Sequence, residues 1–145
     1  MARDDDRPLE VLRWQKRAIL VLAEAPGDAA LVEQVRRLAA AAAGLAERDV
    51  VIVEATRDGS RMVGLDSDAP TMERLRQVYP GGREGFQVLL IGKDGGVKLQ
   101  AAEPVDVAEL LALIDSMPMR RREMREPAAR RQTPFTATLP GQKEP

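Results

Sequence analysis

Three short, uninterrupted apolar runs constrain this chain most: Ala18-Ile19-Leu20-Val21-Leu22-Ala23, Val50-Val51-Ile52-Val53 and Val88-Leu89-Leu90-Ile91. A strand with one face in water alternates apolar and polar residues, so runs without a polar position belong to strands covered on both faces. They are partly β-branched and too short to form core helices or to span a bilayer. A sheet buried on both faces needs helices on both. The segments between the runs must supply them.

Pro26-Gly27 closes the first run, and Asp28 is placed to cap a helix. Behind it Leu31, Val32, Val35, Leu38, Ala39, Ala42 and Leu45 recur at helical spacing, with Glu33, Gln34, Arg36 and Arg37 on the opposite side. This helix is expected to end between Gly44 and Arg48, ahead of the second run. Strand, helix, strand makes a right-handed parallel unit the default. Residues 56–66 have no period, are broken by Gly59 and Gly64, and read as a loop. Ser67 or Asp68, followed by Pro70, reads as the start of a second helix, with Met72, Leu75, Val78 and Tyr79 as its apolar face and Pro80-Gly81-Gly82 as its stop.

After the third run, Lys93-Asp94-Gly95-Gly96 leads into Val97-Lys98-Leu99, an Asp-Gly hairpin signal. Asp106 and Glu109 resemble a capping box ahead of Leu110, Leu111, Leu113, Ile114 and Met117, and Pro118 ends that helix. The expected order is β-α-β-α-β-β-α. That is an α/β chain of thioredoxin-like order: a four-stranded mixed sheet with helices on both faces, over residues 8–118. Residues 119–145, Arg-rich and then rich in Pro and Thr, lack an apolar period and read as a flexible basic tail.

Composition narrows the chemistry. At 145 residues and 44% hydrophobic the chain can build one core, but at 3% aromatic that core must be aliphatic, with Trp14, Tyr79 and Phe86 as its few large pieces. The 22 basic and 23 acidic side chains nearly cancel, so net charge selects no partner. There is no cysteine and no histidine. This removes disulfides, thiolate nucleophiles, Ser-His-Asp catalysis and most zinc or iron sites, and no cofactor or metal is called for. The opening MARDDDR has no apolar segment of the kind a signal peptide needs. A chain complete as given is expected in the cytoplasm, with a mature exported chain as the alternative.

Arg13-Trp14 ahead of the first run, Leu90 to Leu99 across the hairpin, and Met117-Pro118-Met119-Arg120-Arg121 after the last helix resemble a known family. It is the peroxiredoxin-like domain of unknown function found in bacterial small proteins and in equarin-type animal extracellular-matrix proteins. The resemblance covers about residues 8–125. It implies a thioredoxin-like fold and, in the animal relatives, a matrix or adhesion role, and it brings no catalytic residues. Thioredoxins carry Cys-x-x-Cys after the first strand, where this chain has Glu24-Ala25-Pro26-Gly27-Asp28-Ala29. They carry a cis-proline before the third strand, where this chain has Gly85-Phe86-Gln87.

Four constellations can be weighed. Glu24 and Glu54 end neighbouring parallel strands, the edge where α/β proteins bind ligands, and as a close pair could divide acid and base roles; two separately solvated carboxylates are the simpler reading. Pro26-Gly27-Asp28 could hold an anion at a helix N-terminus, but an Asp there occupies the donors and repels phosphate, so capping is preferred. Arg120, Arg121, Arg122 and Arg125, continuing to Arg130 and Arg131, could contact an acidic protein or membrane surface, and less readily nucleic acid, since no aromatic residues interleave them; a solvated tail, or a clamp on the domain's own acidic residues, is the simpler reading. Trp14 is expected to plug the end of the core rather than to bind a partner. Together these features favour a non-enzymatic, protein-binding or structural module without redox activity, with a carboxylate enzyme centred on Glu24 and Glu54 as the alternative.

Overall fold

The structure, a computed structural model, describes residues 9–79 and 85–125. The chain divides after Leu111 into two compact units. Within the first, β1 (Arg17–Leu22) lies at the middle of a five-stranded sheet, parallel to β2 (Val50–Thr56) and antiparallel to β4 (Gln87–Ile91). β3 (Gly59–Val63) pairs antiparallel with β2, and β5 (Val97–Ala101) with β4, giving the order β3-β2-β1-β4-β5. Leu20 faces Val53 on one side and Leu89 on the other, so the three apolar runs are the three central strands. Every β1 residue is buried, and Ile19, Leu20 and Val21 have no exposed surface. Each such side chain contributes about 1.5–3 kcal/mol of burial.

The expected four-stranded sheet has five strands, because β3 occupies the segment that reads as a loop. Thr56 pairs with Gly59 across a two-residue turn of Arg57 and Asp58. As an edge strand β3 alternates exposed and half-buried positions and never forms an apolar run. The signal for it was Asp58-Gly59, the same dipeptide that marks the β4-β5 hairpin.

Side chains alternate across the sheet. Ala18, Leu20, Leu22, Val51, Val53, Ala55, Leu89 and Ile91 form one core face with Leu9 and Leu12 from the turn before β1 and with Met72 and Leu75 of α3 (Met72–Val78). Thr71 caps α3, its Oγ1 accepting from the Arg74 amide at 3.1 Å, so the helix starts later than Ser67 or Asp68. The expected stop at Pro80-Gly81-Gly82 lies outside the described residues. Two helices, α1 (Ala29–Ala40) and α2 (Ala42–Glu47), pack beside β1 and β2 respectively. A single helix was expected here, but it is interrupted at Ala41, whose φ of −113° and ψ of 23° lie outside the helical range. Leu45 of α2 is buried.

Gln34 also departs from expectation. It is not on the solvent side but fully buried, its Nε2 donating to the Val105 carbonyl at 3.1 Å and its Oε1 accepting from the Val105 amide at 2.6 Å. A glutamine mimics a missing strand there, satisfying both backbone groups of a connecting segment.

Helix α4 (Val107–Asp115) begins in the first unit and ends in the second. In the second unit Pro118 does not simply terminate structure; it opens α5 (Pro118–Arg125), and the Arg121 amide donates to the Met117 carbonyl at 2.8 Å. Proline suits the first turn of a helix because its missing N–H would be unpaired there anyway. The expected tail therefore starts with a helix, and residues 126–145 lie outside the described residues.

Candidate functional site

At the carboxyl end of β1 the chain leaves the sheet at Ala23 and presents Glu24. Arg57 Nε lies 2.7 Å from its Oε1. Arg76 Nη2 and the Gly85 amide donate to its Oε2, each at 3.2 Å. Arg76 Nη2 also donates to the Gly85 carbonyl at 2.8 Å, so this carboxylate ties the β2-β3 turn, α3 and the entry to β4 together. The Gly85 amide, with Arg57 and Arg76, holds Glu24 below its ordinary pKa against the opposing effect of burial. Glu54 sits within β2 and is clamped by its cross-strand partner Arg61, with Nε and Nη2 each 3.1 Å from a carboxylate oxygen.

The two glutamates of the proposed acid pair thus have separate partners. They also line different hollows, which adjoin at Thr56, Gly59 and Ser60: Glu54 one of about 330 Å³ with Pro26 and Arg61, Glu24 one of about 530 Å³ with Arg57 and Arg76. A general acid needs a raised pKa, and Glu24 moves the other way. Both read as structural clamps. At the neighbouring turn Asp28 Oδ1 accepts from the Ala30 and Leu31 amides at 2.9 and 3.1 Å, so those donors are taken and capping is the role of Pro26-Gly27-Asp28. No group of three or more acidic residues among the described residues could hold a metal ion.

The opposite end of β1 is built differently. A 3-10 turn, Glu10–Leu12, precedes it, and Leu9 and Leu12, three apart, face inward at 5% and 3% exposure. That spacing turns the intervening Val11 outward and leaves Trp14, two residues beyond Leu12, without a core position. Val11 is 62% and Trp14 57% exposed. The expectation that Trp14 plugs the core is corrected: the two leucines do so. Trp14 has φ of 71°, a left-handed conformation that costs a bulky residue on the order of 1 kcal/mol. Its amide donates to the Lys93 carbonyl, which anchors the turn to the end of β4. Lys93 is itself fixed, its Nζ 2.9 Å from Asp49 Oδ2. The Arg13 guanidinium carbon lies 5.2 Å from the centre of the indole ring, a cation–π contact.

The basic segment is split by α5. Arg120 is 3% exposed, with Nε 3.1 Å from Asp115 Oδ1 and Nη1 3.6 Å from Glu123 Oε1. Its charge is internal. Arg121, Arg122 and Arg125 are exposed, and Arg130 and Arg131 lie outside the described residues. The helical period that separates Arg120 from the others was legible only once Pro118 was read as a beginning.

Among solved structures the fold is similar to Plasmodium yoelii thioredoxin peroxidase I (TM-score 0.58, 14% identity, 83% of each chain covered). It is similar also to the reduced 2-Cys peroxiredoxin of Plasmodium vivax (TM-score 0.56, 13% identity, 80% of this chain and 84% of that one). The likeness is one of fold, and a chain without cysteine cannot share the thiol chemistry. Among curated proteins the chain is 28% identical over 145 residues to "Coiled-coil domain-containing protein 80" of Danio rerio, matching with 84% of its own length and spanning 17% of that protein's. With its peroxiredoxin-like fold and a match over residues 8–123, the chain belongs to the family described as Domain of unknown function (DUF4174).

Proposed function

We propose that this chain is a non-enzymatic thioredoxin-fold module that binds a protein partner through the turn preceding β1, with Trp14 as the anchor. The observation that carries the reading is Trp14 itself: an exposed aromatic side chain in a left-handed backbone conformation, fixed through its amide to the Lys93 carbonyl. Strain at an exposed position adds nothing to the core. Rigid, preorganised tryptophans flanked by arginine are what protein interfaces use as anchors, because little conformational entropy is lost when they are covered. Val11 and Arg13 extend the same surface. Exposed Arg121, Arg122 and Arg125 on α5 offer a separate basic face suited to an acidic partner surface.

The test is a quantitative pull-down with the full chain, Trp14→Ala and Val32→Ala, the last removing an exposed apolar side chain of α1 that is 54% exposed. Loss of an anchor costs at least about 2 kcal/mol, roughly a thirtyfold drop in affinity. The reading expects that drop for Trp14→Ala and none for Val32→Ala. Equal retention of the same partners by all three proteins would refute it.

A further inference from the structure

Beside the Trp14 turn lies a hollow of about 440 Å³, a size suited to a small molecule. Its apolar lining comes from Leu12 of the turn, Ala18 of β1, Ile91 of β4 and Val97 of β5. Arg13 and Lys16 line it as well, from the turn that leads into β1. This is the end of the sheet opposite Glu24, away from the carboxyl ends of the parallel strands. We propose that the hollow is a binding site for a small amphiphilic carboxylate, whose apolar body lies on Leu12, Ala18, Ile91 and Val97 and whose anionic head pairs with Arg13 and Lys16.

The asymmetry of its charges supports this assignment. Of the two acidic residues lining the hollow, Asp94 is already committed to the hairpin: its Oδ1 accepts from the Gly96 amide at 2.9 Å and its Oδ2 from Lys98 Nζ at 3.0 Å. The other, Glu10, forms a long ion pair with Arg13 at 3.9 Å, beyond hydrogen-bond distance, between two partly exposed side chains. Arg13 Nε is buried and has no hydrogen-bond partner. The hairpin packs close to this group: a Cβ added at Gly95 would lie 3.8 Å from it. The Arg13 side chain is 35% exposed, so an arriving carboxylate can pair with the accessible part of its guanidinium in a charge-assisted bond while its chain covers apolar surface. The site stands on the cavity and on Arg13, independently of whether Trp14 anchors a protein.

Trp14 is the sole tryptophan, and Arg13 lies over its ring, so its emission reports engagement of Arg13 directly. The probe is octanoate, titrated into the full chain by fluorescence and by calorimetry, with octanol and octylamine as matched neutral and cationic arms. The site predicts saturable one-to-one binding of octanoate, at least about tenfold tighter than octanol, and weaker still for octylamine. Arg13→Gln should weaken octanoate about tenfold and remove its preference over octanol. Glu10→Gln should tighten it, by removing a competing carboxylate from the mouth. Val97→Phe, on the half-buried edge strand, fills the hollow and should abolish binding with the thermal transition retained. Absent or non-saturable octanoate binding, equal binding of octanol, or full binding by Arg13→Gln or by folded Val97→Phe would each overturn the assignment.

Discussion

Single residues in this protein decide more than their frequency suggests, and Gln34 is the clearest case. Replacing it with leucine keeps the volume but leaves the Val105 amide and carbonyl without their partner. The expected loss is about 1–3 kcal/mol, read as a lower denaturant midpoint at unchanged m-value. A sequence reading places Gln34 with the polar residues of α1, because nothing local distinguishes a solvated amide from one that meets a backbone 71 residues away. Trp14 was misplaced for a similar reason: Leu9 and Leu12 take the core positions of its turn, and nothing in the residue type signals its positive φ. Glu33 gives the opposite kind of test. Arg36, then Arg37, lower its pKa from 4.5 to about 2, so its stabilising contribution is present above 4.5 and is lost as pH falls toward about 2. The contribution is modest because the group is exposed. The Tm difference between wild type and Glu33→Gln should therefore close over that acid range, and a difference constant from pH 7 to pH 2 would contradict the ion-pair origin.

Among the elements, legibility followed burial. Strands β1 and β4 could be read as apolar runs because every residue in them is buried, and β2 because only Ile52 and Glu54 within it are half-buried; the Asp28 cap could be read because its chemistry is local. Strand β3 was lost because half its residues face water, and α5 because a proline after one helix can equally begin another. Asp28→Ala should cost about 1 kcal/mol, since it frees two amide donors at the start of α1. In the β4-β5 hairpin Gly95 has φ of +88°, where any Cβ is strained, so Gly95→Ala should destabilise by roughly 1 kcal/mol. Both are measured by chemical denaturation. An unchanged midpoint for either would show that the cap or the turn is not what sets that element.

At the scale of the molecule, the two ends of β1 have separated their tasks. The carboxyl end is closed by charge: Glu24 is locked by Arg57, Arg76 and the Gly85 amide, and Glu54 by Arg61. With no cysteine anywhere in the chain, nothing there can perform thiol chemistry. The candidate acid pair was visible in the sequence as two strand-end glutamates, but their arginine partners come from a hairpin and a helix whose placement only the fold supplies. The opposite end presents Val11 and Trp14 on a turn pinned to Lys93. The central claim, that this turn is the contact surface of a binding module, is tested most directly by placing a photo-crosslinking amino acid at exposed position 11, with Trp14 kept, and, separately, at position 32 of the full chain. Irradiation with the partner present should give a discrete adduct from position 11 and none from position 32. No adduct from position 11, or equal adducts from both, would contradict the account.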